Sequence, residues 1–471
     1  MAWRWTSLTT SGVAPAPRAG FASAVHNGTL FVVGGSSGSD AFDDAYALHM
    51  DALRWRRLQL RTRGGAALSR RIMFGHAALD GTLYLHGGAD PTNLAALYSD
   101  LLALDLEDEM LVTVPTAGVG PPSSGLARHA MAATEGSLWV VGGWQGSAWL
   151  PDAFRLDLGP FLARGEPAVW RRIQGDGFTP WARAHSCLVA APLPRPQLLL
   201  YGGGDADQDF DDAYALDTTT HYWERLSDVD GPRMALSQAA CALIAMPAAL
   251  RSREEGSVLQ NATMQTLAPV PAHLASSKDG SGATRSTSFS LAVHGGYGGA
   301  IGTPSRHDAL RLLHWGRDDG RVTRRWTVPH VSGSAPVARM GHCLHVLNSS
   351  SLVLFGGSAD DRRLNDVLIG TPNRIWHRQR RGDPAAAAGT PHGVIGTEAA
   401  PAHRSVHDAP DSLDHAIPDE EIVVRTVRTA DLQKAKQQGA TASLRGRGKT
   451  RRRRRGGRTS RTTETRQKDE L

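Results

Sequence analysis

The sequence predicts an all-β protein, a six-bladed β-propeller followed by a disordered C-terminal tail. Three observations carry that prediction. A Gly-Gly pair closes an apolar stretch six times, an Asp follows each pair nine or twelve residues on, and a tryptophan recurs in most units. The heptapeptide Phe-Asp-Asp-Ala-Tyr-Ala-Leu also occurs twice, at Phe42–Leu48 and Phe210–Leu216, 168 residues or three units apart. Self-similarity at a fixed period marks a repeat architecture, in which each unit buries its apolar face against its neighbours.

The glycine pairs are Gly34-Gly35, Gly87-Gly88, Gly142-Gly143, Gly202-Gly203, Gly295-Gly296 and Gly356-Gly357. Asp44, Asp152, Asp212 and Asp366 stand nine residues after the second glycine, and Asp100 and Asp308 stand twelve after theirs. Each Asp opens an alternating run, and its side chain is expected to fix the preceding loop by bonding nearby backbone. Trp55, Trp170, Trp223, Trp326 and Trp376 mark the last strand of five units, which is expected to pack on the next unit. An Arg opens each unit, often with a His close behind: Arg18, Arg71, Arg128, Arg183, Arg233 and Arg339. Unit one then reads as four strands, a to d. Asn27-Gly28 is a two-residue hairpin signal between a and b, repeated as Asp80-Gly81 and Glu135-Gly136. Strand b is apolar throughout, as expected of a strand covered on both faces.

With these markers in place, residues 1 to about 380 resemble the kelch-repeat family. They are most similar to its longer-unit members, of the host cell factor and Rab-effector type. The resemblance implies one four-stranded blade per unit with strand a lining a central channel. Either the N-terminal strand around Trp5 or the one at Trp376 closes blade six; the other is an add-on or the start of a seventh blade. Residues 247–287, rich in Ser, Thr, Ala, Gly and Pro, read as a disordered insertion between strands a and b of blade five.

The repeat stops after Arg380. Residues 381–444 read as a low-complexity linker with a short helix over 419–438, and 445–471 as an Arg-rich tail centred on Arg451, Arg452, Arg453, Arg454 and Arg455. That tail holds twelve Lys or Arg and three acids, a charge of +9 in a chain of +6, so the first 444 residues carry −3. Nucleic-acid affinity is therefore an argument about the tail alone. The run suits solubility, nuclear import or RNA and other polyanions; no interleaved aromatics support base recognition. The last residues, Lys468-Asp469-Glu470-Leu471, form an ER-retrieval tetrapeptide. The N-terminus lacks the apolar core of a signal peptide, so a cytoplasmic or nuclear location is expected ahead of the ER lumen. No run of 18 apolar residues predicts a membrane span.

Three cysteines, Cys187, Cys241 and Cys343, sit in apolar runs without metal-ligand spacing and read as small core residues. The 19 histidines recur mostly at one place in the repeat and read as structural. Asp217 and His221 match part of the iron motif of nitrile-specifier proteins, but Ala213 stands where its Glu would be. Loops offer more. The b–c loops are acidic, with Asp40, Asp43 and Asp44 in blade one, Asp205, Asp207, Asp209, Asp211 and Asp212 in blade four, and Asp360 and Asp361 in blade six. The d–a loops bring Arg61, Arg63, Arg70 and Arg71 to the same face. The expectation is a non-enzymatic, monomeric scaffold or adaptor, without cofactor, docking a protein partner on that face. The alternatives are a kelch-fold enzyme or metal-dependent accessory, and an RNA- or polyanion-associated protein acting through the tail.

Overall fold

Asn27-Gly28, Asp80-Gly81 and Glu135-Gly136 make the tight turns their sequences demand, with both residues of each pair at positive φ. They join strands a and b of blades one to three: Ala22–His26 to Thr29–Val33, Gly75–Leu79 to Thr82–His86, and Ala130–Thr134 to Ser137–Val141. Strands c and d follow as Ala45–His49 with Arg54–Arg57, Leu101–Asp105 with Met110–Thr113, and Ala153–Asp157 with Ala168–Ile173. Blade four is Cys187–Ala191, Gln197–Tyr201, Ala213–Asp217 and Tyr222–Arg225. Blade five is Ala240–Met246, Ser288–His294, Leu310–Asp318 and Arg321–Thr327.

This computed structural model describes residues 2–191, 195–227, 229–246, 288–298, 305–318, 321–348, 351–360 and 362–373. The insertion 247–287, Asp361, Trp376, the helix expected over 419–438 and Arg451 to Arg455 lie outside them. The chain divides into Met1–Arg380 and Arg381–Leu471, and all described residues belong to the first. One short helix, Gly159–Arg164, joins strands c and d of blade three. No helix among the described residues is long and apolar enough to cross a membrane.

Blade six settles the closure. Its strands a to c are Cys343–Val346, Leu352–Ser358 and Arg363–Asn373, and its strand d is Ala2–Leu8. The N-terminal strand pairs antiparallel with strand c over seven residues, from Ala2 opposite Asn373 to Leu8 opposite Val367. Trp5 thus holds the strand-d tryptophan site that the sequence also offered to Trp376. Each strand a contacts the next around the ring, blade six to blade one included. Six blades result.

The strand-d tryptophan packs backwards, not on the next unit. Trp55 meets Phe355 of blade six, Trp170 meets His86 of blade two, Trp326 meets Tyr201 of blade four and Trp5 meets His294 of blade five. Each partner is the residue just before a glycine pair. The ring order makes the preceding blade the one that faces strand d. Blade two uses Leu111 there, against Val33 of blade one.

A fifth strand reinforces each interlock. The segment after each strand d pairs in parallel with strand d of the next blade: Ser11–Gly12 on blade one, Arg61–Arg63 on blade two, Thr116–Gly118 on blade three, Asp176–Gly177 on blade four and His330–Gly333 on blade six. Asp230 makes the matching bridge to Arg325 in blade five. Gly12 shows why these segments carry a glycine. Its φ is +81°, and a Cβ there would sit 2.2 Å from the Trp55 carbonyl oxygen. Gly118, Gly177, Gly231 and Gly333 repeat that contact with Trp170, Trp223, Trp326 and Trp5.

Candidate functional site

The Arg and Asp markers are partners. In blades one, two, four and six a buried Arg grips the Asp that opens strand c through two nitrogens: Arg18 with Asp44, Arg71 with Asp100, Arg183 with Asp212 and Arg339 with Asp366. The same guanidinium donates to the carbonyl of the first glycine of the pair, as Arg183 does to Gly202 at 3.0 Å. The Asp therefore fixes its loop through an arginine rather than through backbone alone. Arg128 and Arg233 do not belong to this set. Leu126 and Leu236 fill the guanidinium site in blades three and five, buried at 0% and 1% exposure. Asp152 then turns to Arg172. In blade five the Asp site itself is Ala309, one residue after Asp308, whose carbonyl accepts from Gly295 as the Asp44 carbonyl does from Gly34.

The residues before each strand a bridge to those after each glycine pair, as Ala19 does to Ser36 and Ala184 to Gly204. The d–a connections and b–c loops therefore share one face, called here the loop face. Asp40, Asp207 and Asp211 are exposed on it, and Asp205 caps the Asp207 and Gln208 amides at 2.9 Å. Asp43 pairs with Arg70 at 3.4 Å, and Asp360 with Arg306. Asp209 is half-buried, and that burial raises its carboxyl above the usual range. Four candidate residues leave the docking set. Arg71, Asp44 and Asp212 are locked in the buried ion pairs. Arg61 lies on the outer strand of blade two and bonds the Asp108 carbonyl in a c–d turn, away from the loop face. Arg63 is exposed on that same outer strand.

The centre of the loop face was not foreseen. Gly20, Met73, Arg128, His185, Gln238 and Gly341 occupy one position in successive blades, all with φ between 54° and 64°. Five of these residues donate their N–H to the carbonyl of the equivalent residue in the preceding blade, over 2.6 to 3.1 Å, and so ring the channel mouth. Arg128 is the cation in this ring. Its Nε lies 3.1 Å from Met73 Sδ, and its guanidinium lies 5.9 Å from the ring centres of both Trp144 and Trp149. Among the described residues no carboxylate pairs with it, and burial lowers its pKa. Beside it, burial and the Arg128 charge hold His185 down at about 3. At Gly20 the rim is open: a Cβ there would meet nothing within 4 Å. The sequence carries the signal, an Arg two residues past the repeat's Arg site, but the pattern of Arg markers alone does not separate it from the repeat Arg.

Two buried histidine pairs sit at blade boundaries. His86 faces His129 at 3.2 Å and His294 faces His342 at 2.9 Å, under Trp170 and Trp5. Val33 and Phe74 fill the corresponding site between blades one and two. Among the described residues no group of three or more His, Cys, Asp or Glu could hold a metal ion. Burial pushes His86 down to about 4 and His294 to about 3. An unfolded chain keeps histidine near its ordinary 6.5, so between these values it binds more protons than the native state. Stability is therefore expected to fall as pH drops below 6.5 and to level off near the folded values, by about 2 kcal/mol per histidine at pH 5. Urea midpoints measured from pH 7 to pH 4 check this. Replacing His86→Val together with His129→Phe should flatten the slope; an unchanged slope would place the protons elsewhere. Cys187, Cys241 and Cys343 are all free thiols, and burial pushes Cys343 up to about 12, as suits an inert core residue.

The KLHDC2/KLHL20/DRC7 Kelch-repeats domain matches residues 1–110 and 67–246 of this chain, more than half of it. Among curated proteins, Rab9 effector protein with kelch motifs from Mus musculus is 26% identical over 217 residues, 44% of this chain and 53% of that protein. Acyl-CoA-binding domain-containing protein 5 from Arabidopsis thaliana is 27% identical over 233 residues, 47% of this chain and 34% of that protein. Kelch domain-containing protein 10 from Homo sapiens is 26% identical over 161 residues, 34% and 36%. The matches span about half or less of these relatives' own length. A solved chain titled "Structure of YjhT" aligns with 76% of this chain and 95% of its own, at 17% identity and a TM-score of 0.48. With six registered blades and a family match running from the first residue into blade five, the chain belongs to the kelch-repeat family.

Proposed function

We propose that this propeller is a non-enzymatic interaction module that docks a polypeptide on its loop face, with Arg128 anchoring an acidic group of the partner at the channel mouth. Kelch proteins bind protein partners in general, and the finer assignment rests on Arg128. A half-buried guanidinium without a carboxylate partner is costly, and a charge supplied by a ligand offsets that cost. Trp144 and Trp149 beside it are the type of side chain that dominates docking energetics. The surroundings support the same face. Of nine exposed large apolar residues, seven lie on d–a connections or b–c loops: Val13, Leu94, Val119, Phe178, Trp181, Val328 and Val337. Trp181 and Phe178 are each 68% exposed. Mixed charges at Asp43, Arg70, Arg306 and Asp360 rim these apolar positions, an arrangement that sets orientation and encounter rate.

Affinity purification with the full-length chain, its Arg128→Gln variant and a chain lacking residues 445–471 tests the reading. A partner docked as proposed is expected to survive loss of the tail and to bind the Gln variant at least about tenfold more weakly. Retention of every partner by the Gln variant, with all of them lost on removing the tail, would move the function to the tail.

A further inference from the structure

On the face opposite the loop face, the a–b turn of blade three and the c–d turn of blade four enclose a cleft of about 290 Å³. Trp139, 1% exposed, forms its floor. The Arg155 guanidinium lies over that indole at 5.7 Å from the ring centre, and His221 stands edge-on to it at 6.1 Å. Arg155 Nε donates to Ser137 Oγ at 3.0 Å. Its two terminal nitrogens have no ion-pair partner among the described residues. Thr134 and Thr219 line the walls, Thr218 lines them with its hydroxyl turned to the Pro196 carbonyl at 3.0 Å, and Glu135 is exposed at the rim.

Arg155 is a departure from the repeat. It pairs across the sheet with Trp139. The equivalent cross-strand pairs are Phe31 with Ala47, Tyr84 with Ala103, Leu199 with Ala215, Ala292 with Leu312 and Val353 with Ile369. Five blades place an apolar residue at this strand-c site, alanine in three of them. The propeller therefore closes and packs without a cation there, and the fold does not account for Arg155. Its aromatic platform and the Ser137 bond fix the guanidinium plane before any ligand arrives, so little side-chain freedom is lost on binding.

We infer that this cleft binds a small molecule bearing an oxyanion, a phosphate or a carboxylate, held by the Arg155 guanidinium with the Ser137 hydroxyl and the His221 ring around it. A planar guanidinium with two free terminal nitrogens matches the geometry of either group. The volume is at the lower end of ligand pockets, which range from about 300 Å³ upward, and so selects a compact molecule over a peptide chain.

Calorimetric titration of the full-length chain with inorganic phosphate and with citrate, at ionic strength matched by sodium chloride, tests the inference. Binding of either probe is expected, and the stronger one identifies the preferred group. Arg155→Gln should weaken it at least about tenfold, and Arg155→Ala, which installs the repeat's own residue and so preserves the fold, should do the same. Arg128→Gln on the other face should leave it unchanged, which separates this site from the docking site. Equal affinity in the wild type and both Arg155 variants would assign the binding to the Arg-rich tail and overturn the inference, as would the absence of heat with both probes.

Discussion

Replacing Arg183 by leucine is expected to cost about 3 kcal/mol of folding stability. The Arg183 and Asp212 side chains are 1% and 12% exposed. The guanidinium also donates to the Gly202 carbonyl at 3.0 Å and the Trp181 carbonyl at 3.1 Å. Leucine itself fits, because Leu126 and Leu236 occupy the same site in blades three and five. The loss comes from what leucine leaves behind: a largely buried carboxylate, supported by the Tyr214 hydroxyl at 3.1 Å, and two carbonyls that lose the guanidinium, of which that of Gly202 keeps the Ser186 hydroxyl and that of Trp181 does not. Blade five shows the remedy, since it lacks both the Arg and the Asp. The double variant Arg183→Leu with Asp212→Ala is thus expected to recover most of the lost stability. Equilibrium urea unfolding of wild type, single and double variants measures this. A single variant within about 0.5 kcal/mol of wild type would refute the role assigned to the pair.

Trp5→Ala is expected to be more damaging, at about 4 kcal/mol. The indole is 1% exposed and packs edge-on against His294 at 5.8 Å, so its loss leaves a cavity at the boundary between blades five and six. Deleting Ala2–Leu8 goes further. It removes the outer main strand of blade six and uncovers seven residues of strand c as an unpaired edge, a template for self-association. That truncated chain is expected to elute as aggregate in size-exclusion chromatography. Trp376→Ala provides the contrast, because the strand-d site of blade six is already filled; its melting temperature should match the wild type. Unfolding by Trp376→Ala with Trp5→Ala tolerated would reverse the closure.

The blade count, strand order and hairpin turns were legible because each depends on residues close in sequence. Asn27-Gly28 forms its turn whatever the rest of the chain does. The Arg–Asp pairing was not legible, although both markers were seen. Arg183 and Asp212 are 29 positions apart, and only the return of the chain through strand b brings them together. The direction in which Trp55 packs was hidden for a similar reason: neighbours on either side in sequence look alike, and ring geometry chooses between them. Arg128 and Arg155 illustrate how function hides in repeats. Each is a local departure from the pattern: Arg128 stands close enough to the repeat's Arg site to pass for it, and Arg155 lies inside an otherwise regular strand c. Comparing the six copies position by position, rather than collecting what they share, is the reading that exposes both.

The closure described for blade six also orders events during synthesis. A ribosome emits Ala2–Leu8 before any strand a of the propeller, yet the Thr371 hydroxyl that bonds the Arg4 carbonyl is 367 positions away. Trp3 and Trp5 therefore travel unpaired while five blades are made. Contacts that distant are slow to form, and an apolar strand left waiting is prone to capture by other chains. The last step of folding is then a single docking event between the oldest and the youngest parts of the propeller, and its yield should depend on chaperone protection of the Ala2–Leu8 strand more than on the stability of any one blade.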